Sequence, residues 1–568
     1  MDSNLLKTKS IEQLVGDAEG GAKALKRTLS ATDLTLLGIG AIIGTGIFVL
    51  TGTAAANQAG PAIVLSYVLA GLACAFAALC YAEFAAMIPI SGSAYTYAYA
   101  TLGEIFAWMI GWDLILEYAV GSMTVAVGWS GYFQRILAGF NVHLPVWMSA
   151  APNAGVEGAI VNLPAIIIVL IISALLVIGV RESARFNAVI VAVKLVAILF
   201  FIVVGVFYVK PENWSPFMPY GFQGVTAAAA VVFFAYIGFD AVSTTAEEAK
   251  NPSRDLPVGI IASLAVCTLL YLLVAGILSG IIPVVQYKAD AQFLNAPVGY
   301  ALAVINKDWA AGLVSLGAVA GITSVLLVML MSQPRIFFAM SRDNLLPAGV
   351  SKVHPKYRTP YITTIITGVV VAIVAGLTPI NVLGEMTSIG TLFAFVVVCV
   401  AVIILRVKRP DAHRAFKVPF GYLFPILGVV FCVYLMLYLT VLTWARFLVW
   451  LDAGMIIYWF YGRTHSQLVN KAEAASRSGL ESFANFLKMA GYMLVFNGFC
   501  IALLGVLTEL GALTPELARW HELDERLNYY FGLRISPEIA DVFGLKILAA
   551  GVIATVIGFV LGRSSGKK

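Results

Sequence analysis

The chain has 568 residues, of which 60% are hydrophobic and 12% are charged, and its formal net charge is +5. Its mean hydropathy is +0.91, whereas soluble proteins carry about 25% charged residues. This composition excludes a soluble globular protein and predicts an all-α integral membrane protein. We attribute the small positive charge to the loops and expect no nucleic-acid partner.

Fourteen apolar stretches are long enough to cross a bilayer, which takes about 20 mostly apolar residues. They lie at 34–56, 62–87, 104–133, 162–180, 188–209, 222–246, 258–283, 309–340, 361–379, 383–405, 420–440, 443–461, 484–508 and 542–562. Of the 36 lysines and arginines, 26 lie on the side of the N-terminus and 9 on the other side. The positive-inside rule therefore predicts that both termini are cytoplasmic. The polar first 30 residues show no signal peptide.

These stretches, numbered here as spans 1 to 14, suggest a division of the chain. The predicted segments are a cytoplasmic N-terminal segment at 1–33, spans 1–5 at 34–209, spans 6–10 at 222–405, spans 11–12 at 420–461, a cytoplasmic linker at 463–483, and two additional spans within 484–568. Because five is an odd number, the second set of five spans is inverted relative to the first. The repeat is predicted from matching interruptions in spans 1 and 6.

Span 1 is interrupted by Gly44, Thr45 and Gly46 at its midpoint. A break inside the membrane leaves backbone groups unpaired, and it is tolerated only where it is buried in protein or lines a polar cavity. The freed N–H groups of these three residues would begin a half-helix, whose dipole favours an anion such as a carboxylate. The freed carbonyls near Ile42 suit an ammonium group.

Span 3 carries Glu117 about 20 Å from its cytoplasmic end by helix rise, with Asp113 four residues earlier on the same face. Two carboxylates at this spacing disfavour joint ionisation. Glu117 is a candidate contact for a cationic substrate side chain or a participant in proton coupling. The alternative is a protonated carboxyl group that is hydrogen-bonded to a neighbouring helix.

Span 5 carries a lone cation, Lys194, in the run NAVIVAVKLVAILFFIVV. Ionisable residues inside a span are functional candidates by default. A lysine that can release its proton is a candidate proton carrier, and its ammonium can also take the place of a coupling sodium ion. The alternative is that the side chain extends along the helix to the cytoplasmic surface.

Span 6 is interrupted at the corresponding place by Gly238 and Asp240. Carbonyls of Phe234, Ala235 and Ile237 beside this break are further candidate ligands for an ammonium. A molecule with carboxylate and ammonium on adjacent atoms, an α-amino acid, satisfies both breaks at once, and paired breaks are typical of secondary transporters. The alternative is that the glycines only allow the helices to pack closely.

Motifs for enzymatic chemistry are missing from the sequence. It has no HExxH, no GxSxG with partner residues and no GxxxxGK[ST] phosphate loop. The six cysteines show neither CxxC nor Cys/His ligand spacing. We therefore predict a protein that is not an enzyme, with no cofactor and no metal site. Because Lys194 is a candidate proton carrier, we predict that protons are the coupling ion.

Four motifs together resemble the amino acid–polyamine–organocation superfamily, and within it the cationic amino acid transporters. They are GIGAIIGTGIF, GWDLILEY, FFAYIGFDAVSTTAEEAKNPSRDLP and PRIFFAMSRDNLLP, and the resemblance covers about residues 28–462. It implies a five-plus-five inverted-repeat fold in which a bundle of spans 1, 2, 6 and 7 moves against a scaffold.

The resemblance also implies residue roles. Thr45 and Gly46 would bind the substrate carboxylate, and carbonyls of Ile42, Phe234, Ala235 and Ile237 its ammonium. Phe234 would also be an aromatic gate, Lys194 would couple protons and Glu117 would match the cationic branch. Spans 13 and 14 carry no diagnostic motif.

We predict from these features a proton-coupled L-amino acid transporter in a bacterial plasma membrane, with a preference for arginine and lysine. The alternatives are a proton symporter for neutral amino acids such as alanine, for which Gly317, Gly321, Thr323 and Ser324 would form a small pocket, and an amino acid exchanger. An alternative of another class is an amino acid receptor that does not transport. The predicted partners are the substrate and the lipid bilayer, and a small accessory membrane subunit is left open.

Overall fold

The computed structural model of the protein describes residues 7–9, 27–90, 93–178, 184–287, 291–357, 359–468, 479–511, 513, 519–531 and 537–565. In this part of the chain the regular elements are helices, and β-type pairing is limited to an isolated bridge between Leu29 and Ala249. The predicted linker at 463–483 lies partly outside the described residues.

Nine helical stretches in the described part of the chain are long and apolar enough to cross a membrane, and five shorter apolar helices accompany them. The helices of the spans are Ala31–Ile42, Ile63–Met87, Glu104–Gly139, Leu163–Ile178, Ala184–Gly205, Gly221–Val232, Pro252–Ile281, Asp308–Arg342, Tyr361–Leu377, Ile380–Lys408, Leu423–Leu437, Val441–Ile457, Gly479–Glu509 and Pro537–Ser565. Shorter helices are Thr51–Ala54, Ser93–Thr101, Ala291–Asn295, Pro297–Val304, Arg463–His465 and Trp520–Phe531. Each predicted span thus contains a helix, which confirms the all-α membrane fold, and the spans keep their numbers below.

The chain forms two compact units. The first comprises the residues up to Ser341 together with Ala348–Met436, and the second comprises Arg342–Pro347 and the chain from Leu437 onwards. Span 12 therefore lies in the second unit together with spans 13 and 14.

Span 1 begins at a capping box that fixes the start of its first half-helix. The hydroxyl of Ser30 accepts a hydrogen bond from the N–H of Asp33 at 3.3 Å, and the Asp33 carboxylate accepts one from the N–H of Ser30 at 2.9 Å. These reciprocal bonds satisfy two donors at the helix N-terminus. The half-helix Ala31–Ile42 ends where Ile43 turns to an extended conformation (φ −76°, ψ 105°).

Neighbouring spans in the first unit pack so that the two broken spans meet. Span 7 packs along spans 1 and 2, span 10 along span 3, and span 9 along span 4. The first half of span 1 also contacts span 5. The turn Gly46–Leu50 of span 1 contacts the turn Phe233–Tyr236 of span 6. This packing encloses both breaks between helices of the first unit.

Spans 13 and 14, in the second unit, pack face to face through glycines. A Cβ atom on Gly491 would lie 2.6 Å from the carbonyl oxygen of Gly551, and one on Gly498 would lie 2.6 Å from that of Gly544. The glycines lie seven residues apart on each helix, a spacing that keeps them on one face. Small residues let the backbones approach closely, as in many membrane helix pairs, so these spans form a tightly packed hairpin.

Candidate substrate and coupling site

Both predicted breaks are present in the structure. In span 1, the extended residue Ile43 is followed by a π-helical turn at Gly46–Leu50. In span 6, the helix passes into the 3₁₀ turn Phe233–Tyr236, after which Ile237 is extended (φ −60°, ψ 136°). Gly238 follows with a φ of +116°, a conformation that a residue with a Cβ atom rarely adopts.

The glycines of the breaks also permit close contact between the two spans. A Cβ atom on Gly46 would overlap the Cα atom of Ala235, and one on Gly238 would lie 2.9 Å from the carbonyl carbon of Ala41. On span 3, a Cβ atom on Gly128 would overlap the side chain of Thr45. Close packing and broken helices therefore occur at the same residues, and neither interpretation excludes the other.

Free backbone donors gather at the first break. The N–H groups of Gly44, Thr45 and Gly46 donate to no backbone acceptor in the described residues, and the first N–H that bonds back is that of Phe48, to the Gly44 carbonyl at 3.3 Å. The Thr45 hydroxyl makes a long bond of 3.5 Å to the Val125 carbonyl. N–H groups at the start of a half-helix suit a carboxylate, because the helix dipole adds to their hydrogen bonds.

Lys194 lies at the C-terminal end of the first half-helix. Its ammonium donates to the carbonyls of Gly40 and of Ile43, the latter at 2.9 Å, and to the Ser324 hydroxyl at 3.4 Å. The side chain is 0% exposed, so it does not extend to the surface. A cation is favoured where helix carbonyls have no intrahelical partner. The ammonium thus binds directly to the backbone that the break sets free.

Two carbonyls predicted to bind the substrate ammonium are linked by a residue that the sequence analysis did not single out. The hydroxyl of Tyr271, on span 7, lies 3.1 Å from the Ile42 oxygen and 2.6 Å from the Ala235 oxygen and shares its single proton between them. The Phe234 carbonyl accepts from the N–H of Ile237 at 3.2 Å. A carbonyl oxygen has two lone pairs, so each of these oxygens retains one for a ligand. Tyr271 is the one tyrosine in the apolar run AVCTLLYLLVAG. This lone phenolic hydroxyl in an apolar run was the sequence signal that could have marked it as a site residue.

Replacing Tyr271 by phenylalanine is expected to weaken the contact between the two breaks. The change removes the shared donor and leaves buried carbonyls with one partner fewer, which costs about 1–3 kcal/mol. We expect a lower thermal midpoint and a higher apparent KM for transport in proteoliposomes. As a matched control, Tyr208→Phe removes a hydroxyl from a side chain that is 36% exposed and should change neither value. Unchanged transport and stability in Tyr271→Phe would show that this hydroxyl does not support the site.

Glu117 lies in a buried group of carboxyl side chains. Asp113 is 0% exposed, Glu117 and Asp240 are each 2% exposed, and Glu117 interacts electrostatically with the other two. Within the described part of the chain, both carboxyl oxygens of Asp113 and one of Glu117 have no hydrogen-bond partner, and these side chains form no ion pair there. By helix rise, Glu117 is about 16 Å along span 3 from Gly128, which contacts Thr45.

The small residues of span 8 pack against other helices. A Cβ atom on Gly317 would overlap Ala197, and one on Gly321 would lie 3.0 Å from the Cβ atom of Lys194. The Thr323 hydroxyl accepts from the indole N–H of Trp129 at 2.9 Å. The two glycines thus accommodate span 5 and its lysine, instead of forming the small substrate pocket that the sequence analysis inferred.

An all-helical fold with long apolar spans and with breaks in spans 1 and 6 is that of a multi-pass membrane transporter. A family model described as amino acid permease matches residues 29–461. The chain belongs to this family, within the amino acid–polyamine–organocation superfamily, and it is a transporter, not an enzyme.

Similar proteins differ in the transported molecule that their names state. The chain is 52% identical over 469 residues to a methylthioribose transporter of Bacillus subtilis (strain 168), covering 83% of this chain and 100% of that protein. It is 54% identical over 470 residues to the branched-chain amino acid permease BcaP of the same organism, covering 82% and 100%. It is 39% identical over 415 residues to a vacuolar cationic amino acid transporter 4 of Arabidopsis thaliana, covering 72% and 68%.

Proposed function

We propose that the protein is a proton-coupled carrier of L-amino acids that works by alternating access. The observation that carries the proposal is the contact of the Lys194 ammonium with the carbonyls of Gly40 and Ile43 at the first break. A cation at this position holds span 5 to span 1. Loss of its proton removes the charge that the helix carbonyls favour, so protonation would set how tightly span 1 is held.

The substrate would bind across the two breaks. Its carboxylate would meet the N–H groups of Gly44, Thr45 and Gly46. Its ammonium would meet the remaining lone pairs on the carbonyls of Ile42, Phe234, Ala235 and Ile237. Phe234, buried beside the second break, would close over the substrate as a gate. Movement of spans 1, 2, 6 and 7 against the other spans would then expose the site to each side in turn.

We propose a neutral, apolar amino acid as the substrate. The contacts around Thr45 and Gly46 come from Gly128, Ala235 and the Val125 carbonyl, and Val325 lies against Gly44. None of these groups at the first break is charged, and Glu117 lies about 16 Å from Gly128 along span 3. A relative named for branched-chain amino acids at 54% identity supports this choice.

A cationic amino acid is the second candidate. The observation in its favour is the buried group of Asp113, Glu117 and Asp240, which has no ion pair within the described residues. A guanidinium or ammonium side chain would neutralise such a group. The relatives named for cationic amino acids, at 38–40% identity, support this alternative.

We further propose that the protein lies in the plasma membrane with both termini in the cytoplasm. The bias of 26 of 36 basic residues toward one side supports this orientation. Cysteine-free protein with a single cysteine introduced near the C-terminus should react with a membrane-impermeant reagent only after the cells are opened.

Uptake into proteoliposomes tests the function and the substrate together. The panel is labelled leucine, alanine, arginine and methylthioribose, each with and without a proton gradient that is acidic outside. We expect accumulation of leucine or alanine that depends on the gradient and exceeds that of arginine. A preference for arginine would select the second candidate, and uptake of methylthioribose alone would overturn the amino acid assignment. Binding without countertransport of preloaded label would indicate a receptor.

A further inference from the structure

A groove outside the substrate site lies between span 10 and the start of span 3. It has a volume of about 600 Å³, and eight of its nine lining residues are apolar. The lining is formed by Leu102, Phe106, Val396, Val397, Val400, Ile403, Ile404, Val407 and Lys408. The proposed function uses none of these residues.

The apolar side of the groove follows one face of span 10. Val396, Val400, Ile403 and Val407 have spacings of four, three and four residues, which place them on one helix face. From Val396 to Lys408 the helix rises about 18 Å. One leaflet of a bilayer with a hydrocarbon core of about 30 Å is of similar depth. The groove is therefore long enough for an acyl chain that runs from the membrane surface toward the midplane.

Positive charge lies at one end of the groove. Lys408 is exposed in the last turn of span 10 and is the charged member of the lining. Lys7 lies near the same end, because its carbonyl accepts from the N–H of Glu104 at 3.1 Å, between Leu102 and Phe106 in the chain. The positive-inside rule assigns this end to the cytoplasm. Arg406 is not available here, since it binds the Glu83 carboxylate.

We propose that this groove binds an anionic phospholipid of the cytoplasmic leaflet. One acyl chain packs against Val396, Val400, Ile403 and Val407, and the phosphate contacts Lys408. The apolar face supplies a contact for the acyl chain, and a basic residue near the membrane surface adds about 1 kcal/mol of attraction to an anionic headgroup. A neutral phospholipid gains the first contact but not the second.

Lipid retention by the purified full-length protein tests this proposal. Protein in detergent is mixed with phosphatidylglycerol or phosphatidylcholine. Bound lipid is measured by native mass spectrometry, and the thermal midpoint of unfolding is measured on the same samples. We expect wild type to retain one phosphatidylglycerol in preference to phosphatidylcholine. Lys408→Gln should lower that preference about fivefold, which corresponds to the ~1 kcal/mol that one basic residue contributes near a membrane surface. Val400→Trp, which fills the groove, should lose both lipids.

Matched variants make the outcome specific. Lys352→Gln changes an exposed lysine outside the groove, and Val370→Trp adds the same bulk to an outward-facing position on span 9 that is 49% exposed. Both should retain phosphatidylglycerol as wild type does. A thermal midpoint in detergent without added lipid equal to that of wild type shows that Val400→Trp is folded. Three results would overturn the proposal. Wild type could retain the two lipids equally, Val400→Trp could retain phosphatidylglycerol, or inorganic phosphate alone could raise the thermal midpoint as much as phosphatidylglycerol does.

Discussion

Gly46→Ala is expected to abolish amino acid transport. The added methyl group would overlap the Cα atom of Ala235, and a backbone atom cannot rotate away as the end of a side chain can. Overpacking of this kind costs about 1–3 kcal/mol, and the overlap falls where the two breaks meet. The breaks must therefore separate, which displaces the N–H groups of Gly44, Thr45 and Gly46 from the carbonyls of span 6. Uptake of labelled substrate into proteoliposomes measures the loss.

A glycine elsewhere in the membrane supplies the control for this change. A Cβ atom on Gly384, in span 10, would lie 3.7 Å from the nearest atom of Leu50, an ordinary van der Waals distance. Gly384→Ala should therefore transport at the wild-type rate. Substrate binding by Gly46→Ala, measured as a thermal shift, should be lost even where the protein remains folded. Wild-type uptake by Gly46→Ala would show that the close contact of the breaks is not needed.

Glu83→Gln is expected to lower the stability of the first unit strongly. Glu83, at the end of span 2, binds Arg406 through both carboxylate oxygens, and it accepts from Arg414 at 3.2 Å and from the N–H of Val418 at 2.8 Å. Glu83 is 1% exposed and Arg406 is 6% exposed. Removing one partner of such a buried pair leaves an uncompensated charge and costs about 3–5 kcal/mol.

An exposed ion pair gives the matched comparison for Glu83. Glu522 lies 3.5 Å from Arg519, and both side chains are about one third exposed. Glu522→Gln should therefore cost less than about 1 kcal/mol. The double variant Glu83→Gln with Arg406→Gln should recover part of the loss, because it removes one of the two guanidinium groups that lose their carboxylate partner. Equal thermal midpoints for Glu83→Gln and Glu522→Gln would contradict this interpretation of the buried pair.

The sequence was sufficient for the features that depend on local composition. Hydropathy alone located a helix in each of the fourteen predicted spans, because a helix in lipid needs a long apolar run. The glycines of spans 1 and 6 indicated the breaks, because they and the neighbouring polar residues interrupt an apolar run at its middle. Lys194 was recognised as a candidate because it is a lone charge within an apolar run.

Contacts between distant parts of the chain could not be predicted in the same way. Tyr271 is 229 residues from Ile42, and nothing in span 7 indicates which carbonyls its hydroxyl reaches. Glu83 and Arg406 are 323 residues apart, and both lie near span ends where charged residues are common. The small residues of span 8 suggested open space, but side-chain packing fills that space with span 5.

Gradient-driven uptake by variants at Lys194 tests the central claim most directly. Lys194→Met keeps an unbranched side chain that is one atom shorter and removes its charge, and Lys194→Ala removes the side chain beyond Cβ. Both are compared with Lys210→Met, which changes an exposed lysine. We predict that the two Lys194 variants exchange preloaded substrate, which shows that they are folded, but do not accumulate it in response to a proton gradient. Accumulation by Lys194→Met equal to that of wild type and Lys210→Met would contradict the proposed coupling role.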